Sequence, residues 1–364
     1  MEKDTIILTR KVQIYLDCDD KEQRSTYFQQ LFTWQDMVYR GANMVMTHQY
    51  VQEQIKDLIY LRDDVKVKLG DFKKDPDGIF NSSKMNTTYR VLSLYFKGKL
   101  PSQIISAMNM TLNKAYSTDR TAYWKGEKSL RNYRKDMPIP FGGDQVKLSN
   151  DERNRDFKLM LFKIPFRTYL GKDRSDKRVL LQRVLVGQIK ICTSSIKIVK
   201  GKIFLLLALK LPKKQYHLKE HIIAEASLSV EYPITVSIDK DNFQIGNKEE
   251  FLYRRLAIQA ARNRIQKASA FNKGGHGRKK KLKCLAHFSE KEKRYVDSRL
   301  HLYSRRLIDI CIKSEAGTLL LVNQLSKEEG ARNDEFLLRN WSYYGLIEKI
   351  KYKAKMAGIN VIVE

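Results

Sequence analysis

Read for the spacing of its apolar residues, the chain changes character twice. Residues Thr5 to Leu16 (TIILTRKVQIYL) alternate apolar and polar side chains, which predicts one strand. Asp19 or Asp20 then caps a long helix. Its apolar positions Tyr27, Leu31, Trp34, Val38, Met44 and Val45 recur at helical spacing to about Leu61, and its aromatics read as core packing. After the turn sequence Asp75-Pro-Asp-Gly, helices are predicted from about Ser82 to Lys97 and from Ser102 into Arg134. At Met137-Pro-Ile-Pro-Phe the pattern becomes β. The runs Phe157–Phe166, Val179–Ser195 and Ser195–Leu211 read as strands joined by short turns, including the Lys200-Gly201-Lys202 hairpin. Together with the first strand they are expected to close a small barrel, the helical segment being an insertion between its strands.

The second change comes at Pro233. In PITVSIDKDNFQIG, Ile234, Val236 and Ile238 alternate as a buried strand that ends on Asp239 and turns back through Phe243 and Ile245. A strand, a return strand and an acid where the chain leaves the core is how RNase H-like domains open. An acid there could hold a divalent metal against a phosphate. A long basic segment follows from Glu249 to about Lys313, broken by Lys273-Gly-Gly-His-Gly. Then come a strand (GTLLLVNQL, Gly317 to Leu325), a helix from about Glu335 to Met356 and a last strand, INVIVE. The expected fold class is α+β and multidomain.

Charge narrows the partners. The 364 residues carry 69 Lys and Arg against 41 Asp and Glu, a formal net charge of +28. So large an excess repels itself unless a polyanion neutralises it, which points to nucleic acid. No apolar run approaches the roughly 20 residues of a membrane-spanning helix, so no membrane partner is expected. Cys18, Cys192, Cys284 and Cys311 lie far apart with no C-x-x-C; this excludes a zinc ribbon by spacing and suggests reduced thiols in a cytosol. From Arg254 to Arg306 there are 17 Lys and Arg against three acids, Glu290, Glu292 and Asp297. That surplus favours phosphate contact over a merely solvated face. In Tyr116–Arg134, aromatics interleave with basic residues, which suits base stacking and equally suits a solvated helix face. Basic residues along the predicted barrel strands, Arg167 and Lys202 among them, decide nothing by charge alone.

Metal-dependent cleavage needs further carboxylates converging on the first. The end of the strand Leu319–Val322 supplies Val322, Asn323 and Gln324, and an amide in that place carries no charge. Asp241 is expected to point into the return turn, and Glu328 and Glu329 lie a loop turn further on. The expectation is a degenerate site at Asp239 and Asn323 and a chain that is not an enzyme.

The segments MPIPF, DFKLMLFKIPF, VSIDKD, the run from Gly275 through Asn323 and FLLRNWSYYGLIEKIKYKAKMAGINVIV resemble the miniature type V-F CRISPR effectors and their TnpB relatives, RNA-guided nucleases with a RuvC-like domain. The likeness covers about Met137 to Glu364, and before that only the strand-plus-helices plan agrees. It implies a wedge β-barrel (residues 1–17 and 136–232) with an inserted helical recognition lobe (18–135), then a RuvC-like domain (233–364). By the resemblance Asp239 takes the place of the first catalytic aspartate and Asn323, or Val322, that of the glutamate. The family's zinc ribbon and third aspartate are expected to be missing after Glu364. The implied partners are a guide RNA and target double-stranded DNA with a short adjacent motif. The contacts expected for them are Arg120, Tyr123, Trp124, Arg131 and Arg134; Arg254, Arg255, Arg262, Arg264, Lys267, Lys273, His276, Arg278, Lys279, Lys280, Lys281 and Lys283; and Arg339 and Trp341.

The function expected from the sequence is therefore nuclease-inactive, RNA-guided DNA binding that regulates transcription, in the nucleoid. Its output would be recruitment of an extracytoplasmic-function sigma factor and RNA polymerase, with a homodimer on one RNA plausible. No cofactor is expected, and Mg²⁺ is not expected to support cleavage. The alternatives are repression by promoter occlusion, an active nuclease with non-standard metal ligands, and a plain RNA-binding or chaperone protein.

Overall fold

The computed structural model describes residues 5–60, 84–150, 156–171, 175–213, 216–229, 231–271, 275–322 and 343–364. Within them the chain divides into two units, Met1–Leu211 and Pro212–Glu364, in agreement with the α+β multidomain class.

The first unit opens on β1 (Thr5–Leu16) and the 40-residue helix α1 (Lys21–Tyr60). Asp20 caps that helix as its side-chain type predicts, accepting from the Glu22 N–H at 3.0 Å. Helices α2 (Lys84–Phe96) and α3 (Ser102–Trp124) pack on α1 through Leu92, Ile104, Met108 and Leu112, all fully or nearly fully buried. Helix α3 stops ten residues short of the expected Arg134. Lys125 closes it, and Gly126 follows at φ 72°, a backbone state that ends helices.

The strands of this unit are β2 (Ile139–Phe141), β3 (Lys147–Asn150), β4 (Phe157–Leu161), β5 (Ile164–Tyr169), β6 (Lys190–Ile191), β7 (Ser194–Val199) and β8 (Lys202–Pro212). They join β1 in one eight-stranded sheet of order β2-β7-β8-β1-β5-β4-β3, with β6 on β8. The sheet is open rather than a closed barrel. Its two end strands have only three and four residues and pair on one side alone, too short to zip the edges together. Residues 177–185 form a helix, α4, where a strand was expected. Leu180 and Leu181 are buried while Val179 and Val186 are exposed, a one-sided helical pattern that a run of apolar letters conceals. The β4–β5 turn places Phe162 and Lys163 at φ 53° and 65°. The Phe162 ring lies edge-on to Trp34 of α1 at 5.6 Å and to Phe141 of β2 at 6.0 Å. That packing holds a bulky residue in a conformation it otherwise avoids.

The second unit contains β9 (Lys219–Ser227), β10 (Ile234–Ile238), β11 (Asp241–Ile245), α5 (Lys248–Ala270), α6 (Gly275–Lys313), β12 (Ala316–Leu321), α7 (Tyr343–Ala357) and β13 (Asn360–Val363). Its sheet runs β11-β10-β9-β12-β13. The first three strands form an antiparallel meander, and β12 and β13 run parallel to β9. This is the RNase H-like arrangement, with one correction: its first strand is β9, not β10. The expected boundary at 232/233 therefore falls earlier. The signal was present in KEHIIAEASL, where Ile222, Ala224, Ala226 and Leu228 alternate inward. Onto the inner face of this sheet pack Phe251 of α5, Tyr303, Leu307 and Cys311 of α6, and Leu346, Ile350 and Ala354 of α7. Burial pushes the Cys311 thiol up to about 12, so it serves as core filling, not as a nucleophile.

Gly246, at the end of β11, has φ 85°, and a Cβ there would stand 2.8 Å from both Pro233 Cγ and the Tyr303 ring. Gly246→Ala is expected to destabilise the fold by about 2 kcal/mol or more, through overpacking joined to a left-handed backbone. A urea or thermal unfolding curve checks this.

Candidate nucleic-acid interface

Asp239 is a turn residue. It forms with Lys240 the two-residue connection between Ile238 and Asp241, and has φ 52°. Asp tolerates that left-handed state better than most side chains, which accounts for it without any catalytic role. Strand β10 runs antiparallel to β9 and β12, so Asp239 leaves the sheet at the end away from Val322. Register makes the separation explicit. Ile238 pairs with Ala224, which pairs with Leu319, whereas Leu321 pairs with Ala226 and so with Val236. Asp239 and Val322 are thus displaced by roughly 13 Å along the strands and about 10 Å across them. The expected pairing of Asp239 with the end of β12 does not occur. Asn323 itself lies outside the described residues.

The carboxyl ends that do meet belong to the parallel neighbours β9 and β12, where the Val322 N–H donates to Ala226 O at 3.0 Å. Ser227 stands there, and Glu225 is exposed one pleat back. Open α/β sheets place their ligands outside such ends. Among the described residues no group of three His, Cys, Asp or Glu could hold a metal ion. These residues therefore do not by themselves fit a two-metal centre, and the segment that continues β12 is not among them.

The basic surplus is organised by α5 and α6, which pack side by side. Glu292 is buried between them and gathers three partners: Arg255 Nε at 3.0 Å, Gln259 Nε2 at 2.8 Å and Arg262 at 3.6 Å. Arg254 and Arg299 each lie 5.5 Å from the centre of the Tyr295 ring, a shared cation–π contact. Arg255 and Arg262 therefore serve the seam between the helices first. By contrast Arg264, Lys267, Lys280 and Lys283 are exposed, and no carboxylate among the described residues lies within ion-pairing distance of them. Lys291, Lys293 and Arg306, counted in the surplus but not among the expected contacts, are likewise exposed along α6. For His276, Arg278, Lys279 and Lys281 only the helical backbone is described, and Lys273, Arg339 and Trp341 lie outside the described residues.

The aromatic and basic residues around α3 are mostly engaged internally. Tyr116 is fully buried and donates to Glu53 Oε2 at 2.8 Å, the Trp124 indole donates to the same oxygen at 3.0 Å, and Arg120 pairs with Glu53 at 2.8 Å. Burial pushes the Tyr116 hydroxyl up to about 12. Hydrogen bonds from Lys128 at 3.0 Å and Arg131 Nε at 2.6 Å hold the Asp119 carboxyl below the usual carboxylate range. Tyr123 is buried against Tyr116 and donates to Asp119. Tyr116 and Tyr123 are thus not available for stacking. Arg120 and Arg131 bind buried acids yet stay about half exposed, and Arg134 and Trp124 are exposed as well.

No family model matches the chain. It is 24% identical over 322 residues to the CRISPR-associated endodeoxyribonuclease Cas12f1 of Sulfoacidibacillus thermotolerans, covering 82% of this chain and 74% of that one. To Cas12f1 of Syntrophomonas palmitatica it is 40% identical over 109 residues, 30% of this chain and 21% of the relative. Among solved structures, a chain of the cryo-EM Cas12f1–sgRNA–target DNA complex shares the fold, with a TM-score of 0.69 and 16% identity over 99% of this chain and 89% of that one. The resemblance to miniature type V-F effectors is thereby supported. The expectation of a non-enzyme is overturned: these relatives are named as endodeoxyribonucleases. The argument for a degenerate site took Asp239 as the first acid and Asn323 in the place of the second; Asp239 stands at the opposite end of the sheet from the end of β12, and Asn323 lies outside the described residues.

Replacing Arg264, Lys267, Lys280 and Lys283 together with Gln is expected to lower the salt dependence of nucleic-acid binding by about three units of slope and leave the melting temperature nearly unchanged. Glu292→Ala should do the reverse. It strands Arg255 in the helix seam and is expected to cost about 3 kcal/mol of stability, read by thermal unfolding.

Proposed function

We propose that the chain is an RNA-guided DNA-binding effector of the type V-F kind, its specificity supplied by base pairing of a bound guide RNA. The observation that carries this reading is the likeness to Cas12f1 over 82% of the chain, which reaches into both structural units. The cationic surface of α5 and α6 supports it chemically. A guide–target heteroduplex is recognised through its backbone, which asks for exposed cations without base-specific groups, and that is what these helices offer.

Endodeoxyribonuclease activity, for which the relatives are named, belongs to the same proposal. Its place would be the joined carboxyl ends of β9 and β12, away from Asp239. Recruitment of an extracytoplasmic-function sigma factor and RNA polymerase is a separate proposal resting on resemblance alone, as is a homodimer on one RNA.

The test is purification of the chain from its host, sequencing of the bound RNA, and mobility-shift and cleavage assays on matched and mismatched DNA. A discrete guide-like RNA is expected, with DNA binding that requires both that RNA and its complement. Binding indifferent to complementarity would favour a plain RNA-binding protein. Scission of matched DNA in Mg²⁺ tests the nuclease part, and it should survive Asp239→Ala. Sigma and polymerase subunits in the same purification test the recruitment part.

A further inference from the structure

The outer face of the first unit's sheet carries a second cationic surface, of different composition from α5 and α6. Register sets its rows. Lys158 of β4 stands opposite Arg167 of β5, and Arg167 opposite Tyr15 of β1; two residues on, Tyr169 stands opposite Gln13. These side chains point away from the core because Leu159, Phe166 and Ile14 alternate with them into it. Tyr15 and Tyr169 are 44% and 53% exposed, large values for aromatics on a formed sheet. Their rings meet edge to face at 5.4 Å and 70°, and Gln13 donates to the Tyr15 hydroxyl at 2.7 Å. The pair is held in place from within the protein while each tyrosine stays about half exposed.

Beside Tyr15 runs a groove of about 800 Å³ whose lining includes Lys21, Arg24, Phe28, Arg167 and Lys202. Four of these are cations, and no carboxylate lines the groove; Asp17, outside the lining, lies 4.0 Å from Arg167 Nε. Arg24 is oriented by donating to the Cys18 carbonyl at 3.2 Å. Fixed aromatic rings next to a cation-lined groove suit a ligand that has flat apolar faces and a phosphate at every step. A duplex hides its base faces in its own stack and offers only edges and backbone, so these rings can engage only unpaired bases.

We infer that Tyr15 and Tyr169, with Lys21, Arg24, Arg167 and Lys202, form a binding site for unpaired nucleotides of a single strand, separate from the phosphate-contacting helices of the second unit. This inference rests on the reading of the chain as a nucleic-acid effector. The rings stack on bases and the four cations meet the phosphates between them.

The test uses the full-length chain and short fluorescent oligouridine and oligothymidine strands, with binding followed by anisotropy across a salt series. The double change Tyr15→Ala and Tyr169→Ala should weaken single-strand binding roughly tenfold or more at unchanged salt slope. The double change to Phe keeps the ring faces and should restore binding. Arg167→Gln with Lys202→Gln should lower the slope by about one to two units. A 5-iodouracil strand should photocrosslink to the peptide containing Tyr15 or Tyr169, and that readout does not depend on how the Ala variants fold. In the guide-loaded complex, iodouracil placed in the RNA or in the DNA tells which strand supplies the nucleotides. Crosslinks confined to other peptides, or Ala variants that bind single strands as the parent does, overturn the site while leaving RNA-guided DNA binding intact. A parent chain that binds no nucleic acid overturns both.

Discussion

Twenty-eight surplus positive charges on one chain repel each other, and the arrangement of both units follows from how that repulsion is met. Many of the 41 acids are spent on single surface pairs, such as Asp176 with Arg10 and Asp136 with Lys197. Three buried ones act as hubs. Glu53 takes Tyr116, Trp124 and Arg120; Asp119 takes Lys128, Arg131 and Tyr123; Glu292 takes Arg255, Gln259 and Arg262. The Glu53 and Glu292 hubs join segments distant in sequence, the Asp119 hub ties down the turn that follows α3, and each sets at least one cation against a buried carboxylate, which is what lets such a charge be tolerated. Among the described residues Arg264, Lys267, Lys280 and Lys283 stand exposed outside these hubs, where a polyanion would be their natural counterion.

This division explains which parts of the interface could be read from letters and which could not. The 17 cations between Arg254 and Arg306 are visible in the sequence, but not that Glu292 claims two of them. The interleaved Tyr and Arg residues around α3 had the composition of a stacking surface. Their helical spacing instead places Tyr116 and Tyr123 on the buried side, with Glu53 and Asp119 to receive their hydroxyls. In contrast, the exposed tyrosines of the first sheet lie 154 positions apart in the chain and meet only because β1 pairs with β5. No local pattern announces such a pair.

The same limit governed the fold. Strands with strong alternation, β1, β10 and the β7–β8 hairpin, were legible, as were the caps and long helices. Strand β9 escaped because its fully buried residues, Ala224 and Ala226, are alanines, a weak apolar signal beside the Ile and Val of β10. Missing it shifted the origin of the second domain by one strand. Since strand direction alternates through the meander, that single omission moved the presumed site to the opposite end of the sheet. Asp239 fitted the expected chemistry by residue type, yet its φ of 52° shows the simpler reason an aspartate stands there.

The two surfaces call on different physics, and this bears on how such a chain would work. Phosphate contact of the kind proposed for α5 and α6 would be strong at low salt, would fade as ions compete and would be indifferent to whether bases are paired. Stacking of the kind proposed for Tyr15 and Tyr169 would be nearly insensitive to salt and would require that a base be unpaired. A chain with only the first surface would bind any duplex or strand as polyanion. Adding the second makes part of the affinity conditional on an opened or unpaired segment. That condition holds for a folded guide RNA with a free end and for DNA whose strands have been separated, and it fails for the bulk duplex that outnumbers them.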